Sequence, residues 1–348
     1  MSGPESTSES PLRRPTRTEI QPASGPTATL PAPIRGIIPP MVTPLRAPDE
    51  LDHPGIGRLV EHLIRGGVAG IFALGTTGEA PSLSYRLRYE FVERVCESVA
   101  GRVPVLVGVS DPSLEESIEL GRFARDCGAA AVVATPPYYF PIAAHDVTTY
   151  FLQLADESPL PVFLYNMPAC VKVSILQETA ERCTAHANIV GIKDSGGSLD
   201  TFRRYLELQS LRSDWTFLIG PEHLTTQAVL AGGHGGVNGG ANVLPRLFVE
   251  ACRASHDRQL DRVAALQRRI EDFQSLYAVG TDFVAVARGI KWALGKRGIC
   301  SDRMAPPFHQ YDDTTSMRLQ EILHRFADFF DNGASSSAAD HFDAASNR

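Results

Sequence analysis

The stretch IVGIKDSG, residues 189–196, combines an apolar run with a lysine at its end. Ile189, Val190 and Ile192 are typical of a buried strand, whereas the ammonium group of Lys193 is poorly suited to apolar surroundings. One interpretation is that Lys193 marks the exit of a strand into solvent. The composition favours another, because only four of the 33 basic residues are lysines. A lysine at a semi-buried position therefore suggests a task that arginine cannot perform, such as that of a neutral, nucleophilic amine.

Seven other apolar runs accompany this one, and a helix-like segment occupies each gap between them. They cover residues 34–45, 70–79, 104–110, 130–139, 161–168, 215–222 and 235–245. Their continuous apolar character is typical of parallel strands that are covered on both faces. Eight such strands alternating with helices predict an α/β chain of the (β/α)₈ (TIM) barrel class, with a doubly wound open sheet as the structural alternative.

The same pattern predicts how the chain is divided. Residues 34–250 are expected to form the barrel, and three later helix-like stretches without intervening strands predict a C-terminal helical extension over residues 251–330. The segments 1–33 and 331–348 are rich in small and polar residues, and we expect both to be disordered tails.

Composition and charge indicate the class of protein. A net charge of −7 gives no sign of nucleic-acid binding, and no apolar run reaches the roughly 18 residues that span a bilayer. The six cysteines are scattered and form no C-x-x-C pair, which is typical of reduced thiols rather than of a zinc site. We therefore expect a cytoplasmic protein without a nucleic-acid or membrane partner.

In a (β/α)₈ barrel the chemistry lies at the carboxyl ends of the strands. The second predicted strand ends in GTTGE, which contains Gly75, Thr76 and Thr77. Two hydroxyls, together with backbone N–H groups at the start of a helix, form a cradle suited to a carboxylate. A glycine-flanked turn with helix-capping threonines is the alternative interpretation. The G-K-[ST] ending of a nucleotide P-loop is absent from this motif.

The alternation of side chains along a strand predicts which residues face the barrel interior. In the sixth strand it places Ile189, Gly191 and Lys193 inside and turns Val190 and Ile192 toward the helices. Gly191 then lies one layer below Lys193 and is expected to leave room for its butylamine chain.

Tyr165, in the fifth strand, is expected at the same height as Lys193 on the neighbouring strand, close enough to share a proton. A core tyrosine with a satisfied hydroxyl is the alternative interpretation.

Two loops, at the ends of the fourth and eighth predicted strands, are the remaining candidates for functional residues. TPPYYF carries Tyr138 and Tyr139, which could be interface residues, active-site residues or both. GGHGGVNGGAN, residues 232–242, has six glycines, which allow either a close approach to a ligand or tight strand–helix packing. His234 has no second His or Cys at metal-ligand spacing, so no metal is expected.

Together the motifs GTTGE, TPPYYF, LYNMP, GIKDSGG and GGVNGGAN occur in the order and spacing of a known family. Over residues 34–330 the chain resembles the dihydrodipicolinate synthase and N-acetylneuraminate lyase family of Schiff-base aldolases and lyases. The resemblance implies that Lys193 condenses with the carbonyl of a 2-keto acid, usually pyruvate, without a cofactor. It also implies that Tyr165 shuttles protons.

The resemblance assigns the other motif residues as well. Thr76 and Thr77, which follow Gly75, match the pair that relays protons and holds the keto-acid carboxylate. Tyr139 matches a second tyrosine that reaches a neighbouring subunit's site, so a homo-oligomer, a dimer or a tetramer, is expected. Val237 matches the position whose backbone carbonyl faces the Schiff base.

One position departs from the family pattern. Dihydrodipicolinate synthases usually carry an arginine five positions after the strand-five tyrosine, where this chain has Cys170. Cysteine cannot hold a carboxylate through a bidentate ion pair, and the nearby Lys172 is expected to project elsewhere. The expected function is therefore a class I Schiff-base aldolase or lyase acting on a 2-keto-3-deoxy sugar acid. The alternatives are a 4-hydroxy-tetrahydrodipicolinate synthase, a keto-acid dehydratase and a non-catalytic barrel that binds a keto acid.

Overall fold

Eight parallel strands form one closed sheet in the computed structural model, which describes residues 27–280 and 284–330. The strands are β1 (Gly36–Ile37), β2 (Ile71–Ala73), β3 (Val105–Gly108), β4 (Ala131–Ala134), β5 (Val162–Asn166), β6 (Ile189–Asp194), β7 (Thr216–Ile219) and β8 (Gly235–Gly236). Neighbours pair in sequence order from β2 to β8, and β8 pairs with β1. The Met41 N–H donates to the carbonyl of Phe72 at 2.9 Å and joins the ends of the sheet. The predicted (β/α)₈ barrel is confirmed.

Helices surround the barrel and continue beyond its last strand. They are α1 (His53–Arg65), α2 (Tyr85–Val99), α3 (Leu114–Asp126), α4 (Ala144–Glu157), α5 (Pro168–Val171), α6 (Gln177–Thr184), α7 (Leu199–Leu206), α8 (Thr225–Leu230), α9 (Pro245–His256), α10 (Leu260–Phe273), α11 (Ala285–Lys296) and α12 (Asp313–His324). Several begin at a side chain that accepts a hydrogen bond from the first turn, as Ser84 does for α2 and Asp52 for α1. None of the described helices is long and apolar enough to cross a membrane.

The strands are shorter than the apolar runs that predicted them. Each run contains an observed strand, but its last residues enter the loop at the barrel mouth, as residues 74–79 do after β2. The run 34–45 contributes only β1 and the bridge at Pro40 before the chain forms a small antiparallel hairpin, Leu45–Ala47 with Glu50–Leu51. The hairpin was not predicted.

The pairing of β5 with β6 contains a one-residue irregularity at Val190, because successive residues of β5 pair with Ile189 and then with Gly191. The extra residue reverses the local alternation. The buried apolar residues form two clusters. The interior cluster lies inside the barrel and consists of Ile34, Ile38, Phe72, Leu106, Ala131, Val133, Phe163, Tyr165, Leu218 and Val237, and the larger remaining cluster is the outer core. Val190 packs against the interior cluster and Ile189 belongs to the outer core, so the predicted orientations of these two residues are wrong. Ile192 lies in the outer core, as predicted.

The barrel interior is packed so closely that Gly191 has no space for a side chain. A Cβ there would lie 2.3 Å from the carbonyl O of Thr216 and 2.9 Å from the ring of Phe163. Close strand packing, rather than the butylamine chain of Lys193, therefore accounts for the glycine.

Parts of the predicted terminal segments lie outside the described residues, namely residues 1–26 and the whole of 331–348. Within the described part of the predicted N-terminal tail, Leu30 packs against the barrel interior cluster. At the other end of the barrel segment, α9 continues to His256, past the predicted boundary at residue 250.

The substitution Gly191→Ala is expected to lower the free energy of unfolding by about 1–3 kcal/mol, because its Cβ would overlap the backbone of β7. Gly57→Ala is the matched control. That glycine lies inside α1 with no atom within 4 Å of the added Cβ, and we expect a gain of about 0.5–1 kcal/mol. Urea unfolding of both variants measures the difference. Equal stabilities would contradict the assignment of Gly191 to strand packing.

Candidate active site

Lys193 and Tyr165 face each other across adjacent strands at the barrel mouth. They are direct partners in the register of β6 and β5, which confirms the predicted equal height. Both are buried, with 5% of Lys193 exposed. The Lys193 Nζ lies 3.9 Å from the ring centre of Tyr165 and 4.9 Å from that of Phe72. The amine therefore sits against two aromatic faces and not at a strand exit into solvent.

The hydroxyl of Tyr165 contacts the GTTGE loop. It lies 3.1 Å from the Oγ1 of Thr76, and either oxygen can donate the proton of this hydrogen bond. A path of two exchangeable hydroxyls thus runs from the side of Lys193 to the end of β2.

The GTTGE loop is a tight turn in which close packing and backbone conformation restrict which residues are tolerated. A Cβ at Gly75 would lie 2.8 Å from the ring of Phe72. The loop is bounded by Leu74 and Glu79, both of which adopt a positive φ of 57°. Thr77 lies half-buried beside Thr76 in this turn. Thr76 therefore links the predicted cradle to Tyr165.

Val237, which follows β8, is buried and belongs to the same interior cluster as Tyr165. Its N–H donates to the carbonyl of Ile219 at 2.8 Å, which ties it to the end of β7.

Tyr139 lies apart from this buried cluster. Its side chain is 87% exposed, and its ring packs edge-to-face with that of Phe140 at 5.2 Å between centres. The backbone φ of Tyr139 is +91°, an uncommon value for a residue with a side chain. Within one chain, the structure thus does not bring Tyr139 to Lys193.

Cys170 lies on the short helix α5 and is exposed. Partial burial of its thiol raises the pKa of Cys170, an effect that the charges of Lys172 and Lys193 oppose. Lys172 has a left-handed backbone and donates through Nζ to the carbonyl of Ala169 at 2.8 Å, so it is held to its own helix.

Asn166 and Asp194, the residues that follow Tyr165 and Lys193, are functional candidates that sequence reasoning missed. Asn166 donates through Nδ2 to Asp194 Oδ1 at 2.7 Å and accepts at Oδ1 from the N–H of Ile175. Both are buried, and burial raises the pKa of Asp194, opposed by its hydrogen bonds to Asn166 and the Gly196 N–H. The pair holds the ends of β5 and β6 together. The sequence signal that could have identified them is that a polar residue directly follows each of the two inward-facing candidates, Tyr165 and Lys193.

Glu79 and Lys291 form a second group that was missed, a buried ion pair between the GTTGE loop and α11. The rarity of lysine in the chain was a signal for Lys291 as well as for Lys193.

His234 has a structural environment. It is buried, its Nδ1 accepts from the N–H of Phe217 at 3.0 Å, and burial, assisted by the charges of Arg35 and His256, lowers its pKa to about 4. Across the described residues, no group of three or more His, Cys, Asp or Glu side chains is arranged to hold a metal ion.

Comparison with known proteins agrees with this arrangement. The Dihydrodipicolinate synthetase family matches residues 33–326. The chain is 34% identical over 291 residues to the probable 2-dehydro-3-deoxy-D-pentonate aldolase YjhH of Escherichia coli K12, covering 83% of this chain and 96% of that protein.

Solved structures give the same result. The dihydrodipicolinate synthase of Bacteroides thetaiotaomicron has 41% identity and a TM-score of 0.82, covering 84% of this chain and 99% of its own. A second structure is that of YagE of Escherichia coli K12, described as a prophage protein of the dihydrodipicolinic acid synthase family in complex with pyruvate. It has 30% identity and a TM-score of 0.79, and the match covers 84% of this chain and 98% of YagE. With its eight-stranded barrel and a lysine and tyrosine paired at the mouth, the chain belongs to the dihydrodipicolinate synthetase family.

Proposed function

We propose that the protein is a class I aldolase that cleaves a 2-keto-3-deoxy sugar acid into pyruvate and an aldehyde through a Schiff base on Lys193. The observation that carries the proposal is the buried amine of Lys193 in strand register with Tyr165, whose hydroxyl is within hydrogen-bond distance of Thr76. A barrel that only binds a keto acid has no need of this arrangement.

In the proposed reaction the lone pair of Lys193 Nζ attacks C2 of the keto acid, and the carbonyl oxygen leaves as water after it takes one proton from the amine and one from Tyr165, which becomes the phenolate. The resulting iminium withdraws electrons from the adjacent carbon. Tyr165 accepts the proton of the C4 hydroxyl, the C3–C4 bond breaks, and its electron pair forms an enamine as the aldehyde departs. Protonation of C3 and hydrolysis of the imine release pyruvate and restore the amine.

The loop residues have a binding role in this scheme. The backbone N–H groups around Gly75 and the hydroxyls of Thr76 and Thr77 would hold the substrate carboxylate. The hydroxyl of Thr76 also extends the proton path of Tyr165. Val237 would present its backbone carbonyl to the nitrogen of the Schiff base.

The environment of Cys170 supports a substrate without a second carboxylate. The side chain at this position is neutral, and the nearby Lys172 is engaged with the carbonyl of Ala169. Two relatives, the probable pentonate aldolase YjhH and the putative 2-dehydro-3-deoxy-D-gluconate aldolase YagE of Escherichia coli K12, carry names of sugar-acid aldolases.

A 4-hydroxy-tetrahydrodipicolinate synthase is the second candidate function. It is favoured by the higher identity, 41%, to the structure described as the dihydrodipicolinate synthase of Bacteroides thetaiotaomicron. The two candidates share the Schiff base and differ in the carbonyl partner.

We also propose that the chain forms a cytoplasmic homo-oligomer, a dimer or a tetramer, in which Tyr139 reaches the site of a second copy. Its exposed ring, together with that of Phe140, would be covered in such a contact. The helices within residues 251–330 are proposed as a C-terminal extension of the barrel.

Incubation with pyruvate and borohydride should add one pyruvate-derived mass per chain to the peptide that contains Lys193, measured by mass spectrometry. The competing lysines are poorly suited, because Lys291 is fully buried in an ion pair and Lys172 is held at the surface by its own helix. Lys193→Arg should remain unlabelled, since a guanidinium cannot form the imine. Label on another lysine would disprove the assignment.

The substitution Tyr165→Phe should lower kcat for sugar-acid cleavage by about 10²–10⁴-fold while leaving the melting temperature nearly unchanged, because only a proton-carrying hydroxyl is removed. Tyr150→Phe, which removes the hydroxyl of another buried tyrosine in the outer core, is the control and should stay within a few-fold of the parent. If the two variants behave alike, Tyr165 has only a packing role.

The substitution Cys170→Arg should improve kcat/KM for aspartate semialdehyde with pyruvate. Because Cys170 is exposed, the new ion pair with a carboxylate should contribute up to about 1 kcal/mol, or about five-fold. Sugar-acid cleavage should fall in the same variant, and Cys170→Ala controls for loss of the thiol. Efficient synthase activity in the parent chain would instead favour the second candidate function.

A further inference from the structure

Glu79, the last residue of the GTTGE loop, forms an ion pair with Lys291 of α11 that is almost inaccessible to water. The side chains are 2% and 0% exposed, respectively. The other carboxylate oxygen of Glu79 accepts from the N–H of Ala305 at 2.8 Å, and the Nζ of Lys291 also donates to the carbonyl of Arg303 at 2.7 Å. Since both charges are buried, each depends on the other for compensation.

This ion pair bears on the backbone of the loop. Glu79 has a φ of +57°, which an L-residue adopts only at a cost in free energy, and its N–H donates to the carbonyl of Thr76 at 3.0 Å. The backbone of Glu79 therefore holds the carbonyl of Thr76. The conformation of Glu79 is held by a side chain that is tied to α11 and to the segment 303–305.

A lysine suits this position better than an arginine. The compact ammonium has three donors and fits between Glu79 and the carbonyl of Arg303, whereas a guanidinium is larger and planar. Burial lowers the pKa of Lys291, and the charge of Glu79 opposes this shift. Lys296, in the last turn of the same helix, is exposed and shows the ordinary use of a lysine.

We propose that Lys291 is a positioning residue for recognition of the keto-acid carboxylate, because through Glu79 it holds Thr76 and Thr77 in the geometry that binds this group. The inference rests on the proposed function, since it assigns a further residue to the same site. Lys291 does not touch the substrate. Its removal should therefore weaken binding of the carboxylate and leave the amine of Lys193 able to react.

The test compares borohydride trapping on Lys193 by pyruvate and by pyruvamide, which has nearly the same shape but no negative charge. In Lys291→Met, the pyruvate concentration for half-maximal labelling should rise about ten-fold, the scale of one lost charged hydrogen bond, while that for pyruvamide changes less than two-fold. The control Lys296→Met makes the same substitution in the same helix and should keep the preference of the parent for pyruvate.

The outcomes separate this inference from the proposed function. The inference is overturned if folded Lys291→Met has the same ratio of half-maximal concentrations for pyruvate and pyruvamide as the parent. It is also overturned if both concentrations rise equally, which would indicate general damage to the site. Failure of the parent to be labelled by pyruvate on Lys193 overturns the proposed function and the inference with it.

Because Lys291→Met leaves the carboxylate of Glu79 buried without its partner, the single variant can fail to fold. If the single variant does not fold, the double variant Glu79→Gln with Lys291→Met is used in the same trapping assay, because it buries no charge. A lost preference for pyruvate in this folded variant supports the inference, and a preference equal to that of the parent overturns it.

Discussion

The hydrogen bonds that join β1 to β2 are the constraint on which the site depends. Met41 and Phe72 complete a ring of parallel strands, and every carboxyl end then points to one mouth. Closure brings the GTTGE loop, at the end of β2, across the barrel from β5 and β6. The contact between Thr76 and Tyr165 exists only because the ring is closed in this register.

The two buried lysines show how one side-chain type serves two purposes. Lys193 lies against the rings of Tyr165 and Phe72 at the barrel mouth. Lys291 is enclosed between a carboxylate and a backbone carbonyl, and its charge holds a loop in place. Burial alone therefore does not identify a reactive amine. The groups that surround each amine, two aromatic rings in one case and a carboxylate in the other, distinguish the two lysines.

Several neighbours of the proposed catalytic residues act by fixing the backbone. Asn166 and Asp194 join the ends of β5 and β6 immediately after Tyr165 and Lys193, so these two side chains emerge from strands that are held together at their ends. Such buried polar contacts limit the motion of the strand ends. Cys170, by contrast, is exposed on the short helix α5.

The sequence by itself determined the eight apolar runs that contain the strands and the inward-facing positions of Lys193 and Tyr165, because apolar runs and the alternation along a strand are set by neighbouring residues. Their direct pairing depends on the register between β5 and β6. The sequence did not determine the irregularity at Val190, which depends on how β6 meets β5. The ion pair of Glu79 with Lys291 likewise required the tertiary structure. Residues far apart in the chain become partners only through the packing of whole elements, and no local pattern records which charges that packing will bury together.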